Sequence, residues 1–340
     1  MTLLKFAVLG TGFWSTFQIP AWFEAGGVEL VAVYNRTGEK AEAAAEKFGV
    51  ARFYDDAEEL LRTEDLDFVD IITEVGGHAP LVHLAAKYKV PVICQKPMAG
   101  DLATARGMVE ACQEAGIPLF IHENFRYQVP IRKIKSLLDD GVVGDPYRAR
   151  IQWIHGFPVF DNQPFLMTLE RLILTDLGTH MLDLARFLFG EPRSLYCQHV
   201  QTRSDIAGED VASVMLRFDD VICSCDMSYS TKTELEIFPE TLIYIEGTEG
   251  TLELGADFWI RTTTSEGTLS RRYPAPRYTW ADPDYDVAHA SMVPIHEAFI
   301  EALRTGLPPE TTGEDNLKTL NLVFRAYESA ERNQVIDLTT

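Results

Sequence analysis

A run of apolar residues, 3–9, that passes directly into Gly10-Thr-Gly12-Phe-Trp-Ser15 constrains the first half of this chain more than any other stretch. The spacing is G-x-G-x-x-S after a strand and before a helical segment, where a dinucleotide fingerprint belongs. The first glycine makes the tight turn and the second lets the backbone approach a pyrophosphate. A small third residue lets helix and strand pack closely. Glycines serving only a tight turn are the competing reading. From residue 30 onward strand alternates with helix. Strands are predicted at 30–34, 52–54, 68–72, 90–94 and 118–122, and helices at 39–48, 57–62, 78–88 and 102–115. Such alternation describes a doubly wound parallel sheet.

The pattern changes after residue 125. A helix at 129–140 precedes segments of alternating polarity at 147–155, 195–203, 211–218, 222–229, 235–246 and 251–254. Side chains of a strand alternate between faces, so these segments predict a mostly antiparallel sheet. Amphipathic helices at 288–303 and 315–331 end the chain. The expected class is α/β, with a Rossmann domain at 1–125 and an α+β substrate-binding and oligomerisation domain at 126–340.

Composition excludes several functions. The chain of 340 residues carries 30 Lys and Arg against 51 Asp and Glu, a net charge of −21, which opposes nucleic acid or an anionic membrane as partner. No apolar run approaches the roughly 20 residues of a membrane span, and the start does not read as a signal peptide. Five scattered cysteines show no paired zinc spacing. The expectation is a cytoplasmic protein.

Ligands of open α/β sheets bind at the carboxyl ends of the strands. Gln95-Lys96-Pro97 comes directly after the apolar run 90–94, which makes Lys96 a catalytic candidate; a solvated loop lysine is the plainer reading. Asn35 and Arg36 stand where an acid about 20 residues past the glycines would hold the ribose of NAD. Asn35 removes that charge, and Arg36 can clamp a 2′-phosphate or stack on adenine, so NAD and NADP both remain open. Thr73 begins the loop Thr-Glu-Val-Gly-Gly-His78, and His78 suits a helix-end cap as well as a cofactor contact. Asp176 and His180 lie four residues apart, on one face of a helix, with Asp183 three further on. Such a pair on its own is worth a few tenths of a kcal/mol and nothing more. His122, His155 and His180 carry no metal-ligand spacing, so no metal is expected. Acidic runs such as Asp55-Asp56 read as solvated faces.

Five motifs occur in one order: Gly10-x-Gly12, Thr73 to His78, Lys96-Pro97, Asn124-Phe-Arg126, and Asp176-x-x-x-His180. In that order the chain resembles the glucose–fructose oxidoreductase / inositol dehydrogenase / rhizopine-catabolism (Gfo/Idh/MocA) oxidoreductases over essentially its full length. The family pattern before the lysine is Glu-Lys-Pro, whereas Gln95 stands here, which leaves the lysine role but alters its electrostatics. The resemblance implies an NAD(P)-dependent dehydrogenase that moves hydride from a sugar or polyol to nicotinamide. The implied substrate is an aldose, such as a D-apiose-like pentose oxidised at C1 to its lactone. It assigns catalysis to Lys96, Asp176 and His180. Gly10, Gly12, Phe13, Trp14, Asn35, Arg36, Thr73, His78, Gln95, Lys96 and Asn124 are implied at the cofactor. With the catalytic three, Arg126, Trp153, His155 and Asn162 are implied at the substrate, and a homodimer or homotetramer is implied as the assembly. His180, with an ordinary pKa of about 6.5, suits a base for the hydroxyl proton, and Lys96 suits the developing oxygen charge. Two other readings remain: a glycoside hydrolase that oxidises transiently with bound NAD, and a non-catalytic dinucleotide sensor.

Overall fold

Phe6, Ala7, Val8 and Leu9 are all fully buried in the first strand, Leu4–Leu9 (β1). Consecutive rather than alternate burial is the mark of a parallel strand covered by helices on both faces. Phe68–Ile71 (β4), Val92–Gln95 (β5) and Leu119–His122 (β6) are likewise buried at every residue. Together with Val28–Tyr34 (β2) and Phe53–Tyr54 (β3) they form one six-stranded sheet, ordered β3-β2-β1-β4-β5-β6 and parallel throughout. This is the doubly wound Rossmann order, in which the winding reverses between β1 and β4 and ligands bind outside the carboxyl ends. The computed structural model describes residues 2–156, 158–232 and 240–339.

The chain forms two compact units, each drawing on separate stretches. One comprises residues 1–124, 278–281 and 289–320, and the other 125–277, 282–288 and 321–340. In the first, the helix Met292–Thr305, expected at 288–303, packs on the helix Ser15–Ala25 just past the glycines. Met292 and Val293 bury against Ala21 there, with Trp14, Phe17 and Trp280 around them. The outer edge of β6 is covered by a bridge between Phe120 and Thr312, and the Ile121 amide donates to Thr311 O at 2.8 Å. A covered edge cannot recruit another strand.

Among the described residues the second unit holds a nine-stranded sheet. Its strands are Pro146–Ile154 (β7), Ser194–Val200 (β8), Val211–Arg217 (β9), Ile222–Ser228 (β10), Leu242–Gly247 (β11), Gly250–Gly255 (β12), Trp259–Thr264 (β13), Gly267–Arg272 (β14) and Ile336–Asp337 (β15). Their order is β14-β13-β12-β11-β7-β10-β9-β8-β15. Every neighbouring pair is antiparallel except β7 and β10, which run parallel. Ile151, Val214, Leu216, Cys223, Cys225 and Ile245 fill one face, and the helix Gly178–Phe189 lies over it with Met181, Leu184 and Ala185 fully buried. The alternation predicted a half-covered sheet, and this is what forms. All five cysteines are buried free thiols.

Three features of the second sheet differ from expectation. The β13–β14 hairpin was not anticipated, because every residue of β14 is exposed and no apolar alternation marks it. The strand expected at 235–246 is seen as Leu242–Gly247, and residues 235–239 lie outside the described residues. The two-residue β15 is too short to carry a pattern. Among the described residues no helix is long and apolar enough to cross a membrane.

Candidate functional site

In the first unit the glycine turn is built for close approach. Gly10 has φ 114°, and a Cβ there would meet Ile72 O, at the end of β4, at 2.5 Å. A larger residue is excluded by both backbone and space. Gly12 is exposed, and a Cβ on it would meet nothing within 4 Å, so the protein's own packing leaves its backbone open to a ligand. The Ser15 hydroxyl donates to Gly12 O at 2.6 Å and is buried, which closes the glycine turn onto the start of the helix. Asn35 donates from Nδ2 to Thr11 Oγ1 at 2.7 Å and accepts from the Thr37 amide at 2.9 Å, bracing the loop after β2 on the glycine loop. A turn that admits no side chain beside an open glycine backbone fits a dinucleotide pyrophosphate.

Other residues expected at the cofactor have contacts within the protein. Phe13 lies edge-on to Trp14 and Phe17, at 5.4 and 5.3 Å between centroids, and Phe17 stacks on His289 at 4.0 Å. Arg36 is surface-exposed and pairs with Glu74 at 3.2 Å. Gly77 is held close to Thr73, whose Oγ1 would lie 2.6 Å from an added Cβ. His78 is fully buried, its Nδ1 3.1 Å from Pro97 O and its Nε2 3.1 Å from Thr73 O. It lies between the loop after β4 and the loop after β5, donating to one of these carbonyls when neutral and to both when charged; burial pushes its imidazole pKa down, against the carbonyls that favour the charged ring. Asn124 donates to Ser291 Oγ at 2.7 Å.

Lys96 is half-buried immediately beyond β5, with its backbone amide donating to Gln95 Oε1 at 3.1 Å. Gln95 Nε2 in turn donates to Gln18 Oε1 at 2.5 Å, and Gln18 Nε2 donates to both oxygens of Asp70, at 2.9 and 2.8 Å. Trp22 Nε1 adds a bond to Asp70 Oδ2 at 2.7 Å. Asp70 is fully buried in β4, and burial pushes its carboxyl up to about 7 despite these donors.

In the second unit the parallel pair β7 and β10 end side by side and carry an aromatic cluster. Trp153 and His155 come from the end of β7, and Tyr229 lies just past β10. Trp153 and His155 lie 5.1 Å apart, His155 and Tyr229 5.5 Å, and Trp153 stands edge-on to Phe125 at 5.7 Å. Burial holds His155 down to about 4, so it is neutral at ordinary pH. The expected single helix carrying Asp176 and His180 is two segments, Ile173–Asp176 and Gly178–Phe189, joined through Leu177. The His180 amide donates to Leu177 O, three residues back, at 3.0 Å, so the turn is tightened. His180 is 4% exposed and stacks on Phe125 at 3.8 Å with 10° between planes, which fixes its ring. Asp176 accepts from Tyr229 Oη at 2.7 Å; burial, and then this carboxylate, hold the Tyr229 phenol well above its ordinary range. Asn162 donates to Tyr285 Oη at 3.0 Å.

Arg126, expected at the substrate, forks onto Asp183, with Nε to Oδ2 at 2.5 Å and Nη2 to Oδ1 at 2.6 Å. Its side chain is 6% exposed and that of Asp183 1%, so the pair bolts the residue 125–127 turn to the helix bearing His180. Arg186, one turn on, also pairs with Asp183, at 3.8 Å. Removing one member of a buried pair strands the other's charge. Arg126→Ala is expected to lower unfolding free energy by about 3–5 kcal/mol in urea titrations. A loss under about 1 kcal/mol would mean that Arg186 takes over the Asp183 charge.

Two participants escaped the sequence pattern. Tyr229 reads as one more strand residue, and nothing in spacing ties it to Asp176. Asp70 did leave a signal, a lone acid inside the apolar run 68–72. No cluster of three metal-ligating side chains occurs among the described residues.

A dinucleotide-binding doubly wound unit with a lysine beyond β5, joined in sequence to a mixed sheet that presents a stacked histidine and a carboxylate, defines a two-part oxidoreductase fold. Residues 4–123 match the family model described as the oxidoreductase family with an NAD-binding Rossmann fold, and residues 131–253 match the GFO/IDH/MocA C-terminal domain. The chain belongs to the Gfo/Idh/MocA oxidoreductase family. It is 43% identical over 335 residues to a D-apiose dehydrogenase of Paraburkholderia graminis, covering 98% of this chain and 89% of that one. It is 41% identical over 340 residues to a D-apiose dehydrogenase of Rhizobium rhizogenes, covering 99% and 98%. Among solved structures, an oxidoreductase from Agrobacterium radiobacter in complex with NAD+, L-tartaric acid and magnesium superposes with a TM-score of 0.97. The two are 39% identical, covering 99% of this chain and 98% of that one.

Proposed function

We propose that this protein is an NAD-dependent sugar dehydrogenase that oxidises D-apiose, or a closely similar pentose, at C1 to the lactone. The observation that carries this reading is an intact Lys96, Asp176 and His180 in a chain 43% identical to a D-apiose dehydrogenase over 98% of its length. NAD, when bound, supplies the hydride acceptor. Gly10, Gly12 and Asn35 with Thr11 hold it. His180 takes the proton of the C1 hydroxyl, its ring plane set by Phe125. Lys96 donates to the same oxygen and stabilises its developing charge. Asp176, held by Tyr229, accepts from a neighbouring sugar hydroxyl. Trp153 and His155 supply a flat, largely uncharged wall suited to the apolar face of a sugar ring.

NAD is favoured over NADP by Arg36 and Glu74. Arg36, the cation just past the second strand, is already paired at 3.2 Å, and the carboxylate beside it opposes a 2′-phosphate. The protein is assigned to the cytoplasm, in keeping with its five free thiols. The exposed face of the nine-stranded sheet carries Met215, Ile222 and Tyr244, and a second copy of the chain is its proposed cover, in a homodimer or homotetramer. A monomer in sedimentation would dispose of that assignment.

The deciding experiment tracks absorbance of reduced nicotinamide while D-apiose, other pentoses, hexoses and inositols are offered with NAD and then NADP. Reduction of NAD with D-apiose, well above the other sugars, is the expected result. Turnover with another polyol alone moves the substrate and keeps the chemistry. Glycoside cleavage without net reduction, or cofactor binding without any turnover, rejects the dehydrogenase in favour of the hydrolase or the sensor.

A further inference from the structure

Asp70, Gln18, Gln95 and the Lys96 amide form one buried chain of hydrogen bonds running from the centre of β4 to the residue after β5. Asp70 and Gln18 are fully buried and Gln95 is 8% exposed. A glutamine amide has one donating and one accepting end, and it can be turned either way. A carboxylate only accepts. Ionised Asp70 therefore compels Gln18 to present its NH2 to β4 and its oxygen to Gln95. Gln95 must then donate from Nε2 to Gln18, which leaves its own oxygen as the acceptor for the Lys96 amide. Each link has a single sense, and Asp70 sets it. We propose that Asp70 is a remote positioning residue which, through Gln18 and Gln95, fixes the acceptor that holds the Lys96 backbone in place. This rests on the reading of Lys96 as the group that acts on the substrate oxygen.

The chain of bonds makes position 95 dependent on position 70. A glutamate at 95 would face the Gln18 oxygen across 2.5 Å with a second acceptor, and turning Gln18 round would only transfer the conflict to Asp70. Only one ionised carboxylate fits, at one end or the other, so a glutamate at 95 would oblige Asp70 to hold a proton even at pH 8. With asparagine at 70, the sense can reverse completely. Trp22 then donates to the asparagine oxygen, the asparagine NH2 to the Gln18 oxygen, and the Gln18 NH2 to a glutamate at 95. That glutamate still accepts from the Lys96 amide. Every donor is satisfied and the single charge has moved from β4 to β5.

The test compares full-length wild type, Gln95→Glu, Asp70→Asn and the double variant at pH 8, where the buried Asp70 carboxyl is mainly ionised. Two readouts are taken, the urea denaturation midpoint and steady-state kcat with the reacting sugar. Gln95→Glu is expected to lower the midpoint and to cut kcat roughly tenfold with the sugar KM little changed, since misplacing a reacting group costs rate before binding. Adding Asp70→Asn should restore the midpoint and bring kcat back to within about twofold of Asp70→Asn alone. Rescue by a second substitution inside a fully buried site is not what independent structural damage produces. A double variant as impaired as Gln95→Glu, or more so, overturns the relay, as does a Gln95→Glu protein with unchanged midpoint and kcat. Should Gln95→Glu fail to fold, recovery of a folded double variant still decides the matter. Should wild type reduce no cofactor with any sugar, the dehydrogenase reading fails while the midpoints continue to test the relay.

Discussion

His180→Ala is expected to lower kcat about a thousandfold, the usual scale for losing a positioned base. The imidazole is 4% exposed and stacked face to face on Phe125 at 3.8 Å. Its ring cannot swing aside, and water gains no ordered place from the substitution beyond the volume of the ring. The sugar KM should move far less than kcat, because Asp176 and the Trp153–His155 wall remain. Wild-type kcat/KM should fall at acid pH as the base takes up its proton, and in the variant that limb should shrink to the share of Asp70, whose buried carboxyl is pushed up to about 7. Because the buried His155 is held down to about 4, it contributes no titration at neutral pH that could stand in for His180. Stopped-flow and steady-state rates across pH check both claims. A variant within tenfold of wild type, still showing the full acid limb, would transfer the base role elsewhere.

How far the sequence could foresee this arrangement depends on the range of the interactions. The first sheet was legible because consecutive apolar residues such as Val92, Ile93 and Cys94 can only be a strand covered on both faces, and Gly10-x-Gly12 names the turn between β1 and its helix. Helix Leu102–Ala115 forms at the residues expected, with Asp101 capping the Thr104 amide at 2.8 Å and Gly116 at φ 72° ending it. The half-covered second sheet was legible from alternation in β7, β9 and β10. Its outer hairpin was not, since β14 buries nothing and therefore bears no pattern. At the site, local chemistry could nominate Lys96, Asp176 and His180 but could not say what holds them. Tyr229 reaches Asp176 over 53 positions, Arg126 reaches Asp183 over 57, and Gln95 reaches Gln18 over 77. Arg126 shows the effect of this blindness most clearly. A cation in a motif shared with dehydrogenases reads as a substrate contact, and only the fold shows its guanidinium forked onto a buried carboxylate. Side chains that position others are selected by three-dimensional neighbours, and those leave no periodicity in the chain.

Lys96→Met should remove the charge while keeping most of the side chain's length, and kcat is expected to drop by a few hundredfold. The loss isolates the ammonium, because what places residue 96 is the backbone. Its amide is held by Gln95 Oε1 at 3.1 Å, and His78 pins the carbonyl of the next residue, Pro97, at 3.1 Å. Neither bond involves the lysine side chain, so both should survive the substitution. Dinucleotide affinity, read by quenching of tryptophan fluorescence, should also change little, since the glycine turn and Asn35 are untouched. A stabiliser of charge that develops only during reaction lowers kcat and kcat/KM together, whereas a group that merely grips the sugar raises KM and spares kcat. Lys96→Arg should not rescue the rate, because a planar fork cannot occupy the place of a compact ammonium beside one oxygen. If Lys96→Met proved to change KM alone, Lys96 would be a binding residue and the oxygen's charge would need another partner.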